Sequence, residues 1–419
     1  MNIIIFILEI FSIFFIAIFA PVYFLLRKLT NKSTEGFLLK TGFKLKDTNI
    51  KNEKSIMFHG VSVGEVIALE NLIKSTREAF NDYKIIVTTG TKTGQDIALK
   101  KYGDIADCIT YFPFDTPFSV KRFLNNINPN IILMAETELW PFFAYFAKKK
   151  NIPLLLINGR ISDDSFKVYK YFGWFFKYIL SCYTGIYTQS EDDWNKIIKI
   201  GAKPDKTQVM RNLKFDIQKN PNPINFDKGN FRVFIAGSTH KGEDEIILKA
   251  YKNLKNDFPD LKLLLAPRHL TRKDAVIDLI NTYGFKYGLR SNNDNFSNND
   301  IVLLDTLGEL SRMYSISDVA FIGGSFNNTG GHNPLEAVIY SKPVISGPSI
   351  KNFKDIYLIL CKGCAAKIVN NGLELEEYAK KLLSDEELYN KTVKNSADIF
   401  NSQKGAKDFV ISKIREFLT

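Results

Sequence analysis

The sequence predicts an α/β protein: two doubly wound domains behind an apolar N-terminal segment. Three observations carry this. Apolar, strand-like runs alternate with helix-like stretches over most of the chain, as in a parallel sheet covered by helices on both faces. The rhythm breaks once, at Asp216–Asn230, a stretch rich in Pro and Asn, and then restarts. The chain has 419 residues, long for one core and suited to two domains plus extras. Each half then reads as one Rossmann-like sheet.

Taken in order, the first element is the apolar one. Ile3 to Leu26 carries a single charge, Glu9, and is long enough to cross a bilayer, which takes about 20 residues. Arg27, Lys28 and Lys32 come directly after it, and no Lys or Arg precedes it. It therefore lacks the basic leader of a cleaved signal peptide, and the positive-inside rule keeps the chain beyond Leu26 in the cytoplasm. A polar join over 30–54 contains the aromatic-basic patch GFLLKTGFKLK. Strands are expected at 55–60, 84–89, 108–112, 130–135, 152–157, 185–188 and 207–211. The second series comprises FRVFIAG, LKLLLAP, IVLLD, VAFIGG and PVISG, with a helical tail after Asn371. The expected division is a membrane anchor at 1–28, a first Rossmann-like domain at 29–215, a linker at 216–230 and a second Rossmann-like domain at 231–419.

A net charge of +11 favours anionic partners. The positive charge is scattered and no nucleic-acid motif occurs, which leaves acidic lipid or phosphorylated substrates. Four cysteines are too few for a disulfide scaffold of this size and fit a reducing compartment. Cys361-Lys-Gly-Cys364 lacks the two further ligands of a zinc site and reads as two small residues near a helix end. There is no Asp-x-Asp triplet, and the histidines lack metal-ligand spacing, so a metal-free site is expected.

Ligands of doubly wound sheets bind beyond the carboxyl ends of the strands, where the unusual residues of this chain fall. Ser62-Val-Gly-Glu65 fits the capping box, yet a carboxylate held ionised at a helix start is also available as a base. Both readings stand, and Glu65→Gln separates them. ILMAETELWPF ends a buried strand with Glu136 and Glu138. One of the two is expected to face the ligand. MRNLKFD ends another strand with Lys214. In the second half, Gly237, Ser238 and Thr239 precede an acidic helix start. Arg268 and His269 come after LLLAP, and Gly308-Glu309-Leu310 lies at a helix start. In GGSFNNTGGHNPLEA the glycines let backbone amides approach an anion. Asn333 reads as the cap, Pro334 as the first helical residue and Glu336 as the completed cap. SFKVYKYFGWFFKYIL, Ser165 to Leu180, is either a membrane-interface segment or a core helix.

In their order, HGVSVGE, ETELWPF, NGRISDDS, NLKFD, AGSTHKGEDE, APRH, LGEL, GGHNPLEA and GPSIKNF behind an N-terminal anchor resemble the 3-deoxy-D-manno-octulosonic acid (Kdo) transferases. The resemblance implies a GT-B glycosyltransferase fold. It implies inverting transfer of Kdo from the donor substrate CMP-Kdo, with no cofactor, to a lipid A precursor (lipid IVA) at the cytoplasmic face of the inner membrane. By motif it implies Glu65 as general base and Glu136 and Lys214 as transition-state support. Pro267, Arg268, Gly308, Glu309, Leu310, Asn333, Pro334, Leu335 and Glu336 would bind CMP. The segments at 325–329 and 36–43 match less closely. Two rivals remain. One is a UDP-sugar transferase or epimerase, which a preference for UDP over CMP would favour. The other is a non-catalytic membrane scaffold, which failure to release CMP would favour.

Overall fold

The computed structural model describes residues 10, 14, 36–42, 50, 53–219, 222 and 224–418. The chain forms two compact units, residues 1–216 with 404–419, and residues 217–403.

The first unit is built on seven strands: β1 (Ser55–Gly60), β2 (Lys84–Thr89), β3 (Cys108–Tyr111), β4 (Ile131–Ala135), β5 (Leu154–Gly159), β6 (Gly185–Thr188) and β7 (Thr207–Val209). Their order is β3-β2-β1-β4-β5-β6-β7, parallel throughout. Alternate side chains enter opposite cores. Ile56, Phe58, Ile131 and Leu133 lie on one face, Met57, Ile132 and Met134 on the other. Burial on both faces is why these strands read as continuous apolar runs. The winding reverses between β1 and β4, where His59 pairs with Met134, and a crevice opens at such a switch point.

The second unit repeats the plan with β8 (Arg232–Thr239), β9 (Leu261–Pro267), β10 (Tyr287–Leu289), β11 (Ile301–Leu303), β12 (Val319–Ile322), β13 (Val344–Ser346) and β14 (Ala366–Ile368). The order is β10-β11-β9-β8-β12-β13-β14, again all parallel. Here the winding reverses between β8 and β12.

One expectation needs revision. The division that gives 231–419 to the second domain fails at its end. The helix Ala406–Leu418 packs on the first unit, with Ala406, Val410 and Ile414 buried beside Leu72, Ile73 and Leu213. Its apolar stripe recurs every fourth residue, as a helix face requires. Asp216 fastens its start by accepting the N–H groups of Gly405 (2.8 Å) and Lys407, and Arg211 donates to the Lys404 carbonyl at 2.6 Å. The expected anchor at 1–28 lies outside the described residues apart from Ile10 and Phe14. Among the described residues no helix is long and apolar enough to cross a membrane.

Candidate active site

After β1 the chain turns through Val61 and Ser62 into the helix Val63–Ala68. Ser62 Oγ accepts the Glu65 N–H at 3.4 Å. In return Glu65 Oε2 accepts the Val61 N–H and Oε1 the Ser62 hydroxyl, each at 2.7 Å. Ser62 thus caps the helix, and the reciprocal backbone bond of the capping box falls on Val61, one residue before the cap. This leaves the base reading open, because an ionised carboxylate offers about four lone-pair sites. Glu65 is 7% exposed and folds back over the strand end. A Cβ at Gly60 would lie 3.2 Å from its own Cβ, so the glycine makes room for the acid.

Next to β1, β4 runs into Glu136, whose φ is 56° although its N–H still bonds to the Ile157 carbonyl at 2.9 Å. A left-handed residue ends the extended backbone, so strand alternation does not decide where Glu138 points. Glu138 is pushed up to about 7, by burial first and then by the charges of Glu65 and Glu136, with the Trp140 indole acting the other way. Three carboxylates therefore meet at the switch point. Glu138 is the one that the family resemblance leaves out of its site residues.

Lys214 lies in the single 3-10 turn Leu213–Phe215 after β7. A buried amide chain fixes this turn. Asn212 donates to Gln189 Oε1 at 2.8 Å, Gln189 to the Asn158 carbonyl at 3.0 Å, and Asn158 Oδ1 accepts the Leu213 N–H at 3.0 Å. Asn71, on the helix Glu70–Ala79, holds the far side by donating to the Asp216 carbonyl at 2.9 Å. The segment that leaves the edge strand is thereby drawn back across the carboxyl edge of the sheet.

In the second unit the glycine-rich loop departs from expectation. The N–H groups of Gly324, Ser325 and Phe326 (2.7–2.8 Å) and of His240 (2.8 Å) all donate to the buried carboxylate of Glu243. The chain itself supplies the anion that these amides would offer a ligand. The helix that follows is a single turn, Leu335–Val338. Asn333 caps it, accepting the Leu335 N–H at 3.1 Å. No reciprocal bond from Glu336 forms. Its carboxyl is raised by burial, against the pull of Arg268.

The groups that remain presented at this edge are cationic and imidazole. Arg268 comes directly after Pro267 at the end of β9, is exposed, and makes no ion pair among the described residues. His240 Nε2 and His332 Nε2 lie 2.8 Å apart, and His269 packs edge-on against His240 with centroids 5.5 Å apart. The histidines are remote in sequence, yet β8, β9 and β12 are neighbours and bring three of them together. His332 is held down to about 4 by burial and then by Arg268, His240 and His269. One proton shared between two neutral rings suits a 2.8 Å contact. Among the described residues no group of three side chains could hold a metal ion. Gly308 has φ 80° before the short helix Leu310–Met313. The Glu309 carboxylate is occupied by Arg290 (3.0 and 3.2 Å) and by Thr306, so it shapes this loop from within. Gly237 must lack a side chain, since the Tyr314 hydroxyl occupies the place of its Cβ.

Two doubly wound units with polar side chains gathered at their switch points define a GT-B-like α/β protein. A UDP-GlcNAc 2-epimerase from Neisseria meningitidis bound to UDP-GlcNAc shares this fold, with a TM-score of 0.56 over 86% of this chain and 100% of the other at 14% identity. Sequence narrows the class. Residues 37–217 match the 3-deoxy-D-manno-octulosonic-acid transferase (kdotransferase) family. A 3-deoxy-D-manno-octulosonic acid transferase of Haemophilus influenzae is 33% identical over 87% of this chain and 87% of its own length. A bifunctional glycosyltransferase/methyltransferase of Fusobacterium nucleatum is 37% identical over 85% of this chain, which spans 55% of that relative. The chain belongs to the 3-deoxy-D-manno-octulosonic acid transferase family of glycosyltransferases.

Proposed function

We propose that this protein transfers Kdo, with inversion, from CMP-Kdo to a hydroxyl of a lipid A precursor (lipid IVA) at the cytoplasmic face of the inner membrane. Glu65 takes the hydroxyl proton as the oxygen attacks the anomeric carbon, a step worth about 10²–10⁴-fold. Its two hydrogen bonds fix the carboxylate while leaving lone pairs for that proton. Glu136 and Lys214 support the developing charge. Arg268 meets the phosphate of the departing CMP, in keeping with the aptness of a guanidinium for phosphate, and no metal ion takes part. The turns at Gly308–Leu310 and Asn333–Glu336 shape the nucleotide pocket.

The observation that carries this reading is the position of Glu65 at the switch point of the first sheet, in a chain of this family. The test is mass analysis of product from CMP-Kdo and the tetra-acylated precursor, wild type beside Glu65→Gln, with and without a chelator. Glutamine keeps a cap but cannot accept the proton. Expected is a loss of about 10²–10⁴-fold in kcat with an unchanged melting curve and no effect of the chelator. Full turnover by Glu65→Gln would remove it as base. Thermal stabilisation by UDP rather than CMP would point to a different sugar nucleotide.

A further inference from the structure

The helices Asp163–Tyr171 and Gly173–Leu180 have a side that the core of the first unit does not use. No residue of the first is buried, and of the second only Ile179 and Leu180 are. Phe166, Tyr169, Phe175 and Phe176 pack inward against the core, with Tyr169 and Phe176 in contact at 4.2 Å between centroids, so the pair is held firmly in place. Facing the solvent are Tyr171 (83% exposed), Trp174 (78%) and Val168 (53%), with Phe172 and Tyr178 beside them. The segment thus has one face on the core and another in water. A cluster of large apolar side chains left in water marks an interaction surface.

Charge identifies the partner. Lys167, Lys170 and Lys177 are interleaved with the aromatics, and no acidic residue occurs from Ser165 to Ser190. On the adjoining helix Lys148 donates to the Ser181 carbonyl at 3.3 Å, which brings a further basic side chain to the rim. Of the two preceding acids, Asp163 pairs with Lys196 at 2.8 Å and Asp164 with Lys167 at 3.2 Å, the latter pair exposed to water, where lipid phosphate can compete for the lysine.

We propose that this face docks on a bilayer containing anionic phospholipid, with Trp174, Tyr171 and Phe172 in the headgroup layer and the lysines on lipid phosphates. Aromatic rings that combine an apolar body with a polar tip settle at that depth. Lysines extend their stems along apolar surface while the ammonium stays with water and phosphate. A protein partner fits less well, since the cores of protein interfaces are depleted in Lys. A second copy of the chain would bring the two sets of lysines face to face. This surface is independent of the catalytic reading.

The test uses the full chain on vesicles whose acyl chains carry bromine, either phosphatidylcholine alone or mixed with phosphatidylglycerol. Tryptophan emission is recorded, and a Trp174→Phe variant subtracts Trp140 and Trp194. The readout is local to Trp174 and so does not depend on how else the chain meets the membrane. Expected is bromine quenching of Trp174 on the anionic vesicles and much less on the neutral ones. Lys167→Gln, Lys170→Gln and Lys177→Gln each shift the docking equilibrium roughly fivefold towards release. Equal Trp174 emission with brominated and plain lipid would overturn the proposal. So would a sedimenting dimer that Trp174→Ser dissolves while lipid quenching is absent.

Discussion

Glu138 shows how strongly burial and neighbouring charge act on one carboxyl. Burial first, and then the charges of Glu65 and Glu136, raise its carboxyl from 4.5 to about 7. The folded chain therefore holds a proton on it between those values that the unfolded chain has released. Its contribution to stability is full below the unfolded value and is lost as pH rises through about 7. Glu138→Gln carries no charge at any pH. Relative to the parent it should gain about 1–2 kcal/mol at pH 8 that is absent at pH 4.5, less than the full shift because the side chain partly meets water. Urea midpoints read from tryptophan emission at the two pH values check this, and parallel pH profiles would refute it. His59 is the contrasting case. It lies in the same motif as Glu65 but stacks on Phe112 with Nδ1 on Thr88. Burial holds its imidazole down to about 3, so it serves the core.

At the scale of elements, what could be read from sequence tracked burial. The long central strands are buried on both faces and stand out as unbroken apolar runs. β10 and β14 have three residues each, lie at the sheet edges and are only partly buried, so nothing marks them in the sequence. Motif order brought Glu65, Lys214 and Arg268 to notice. The Glu243 cradle did not appear, because its donors lie some 80 residues further on, at Gly324–Phe326, and meet it only once β8 and β12 pair. The three histidines were hidden for the same reason. The cradle makes its own prediction. Glu243→Gln places an amide N–H among N–H donors, and losing charge-assisted bonds there costs roughly 3 kcal/mol. Hydrogen exchange at residues 324–326 should quicken by roughly a hundredfold, with the amides of β9 little changed. Unaltered exchange would mean that the loop stands without its internal anion.

On the scale of the whole molecule the chain passes from one unit to the other twice, after Asp216 and after Gln403. All three tryptophans lie in the first unit, so their emission reports on it alone. Val410→Ala should lower its stability by about 2 kcal/mol, and Val410→Asp by more, although position 410 lies nearly 200 residues from the linker at 216–217. A change confined to the second unit would contradict the packing described for the helix Ala406–Leu418.

That returning helix bears on biosynthesis. The ribosome completes β1 to β7 early, yet the apolar surface around Leu72 and Ile73 waits for residues 406–418 to emerge. Making the intervening stretch takes roughly 10–40 s at ~5–20 residues per second. During that interval the nascent first half carries a bare greasy flank, which a chaperone or a neighbouring polysome product can reach before its own tail does.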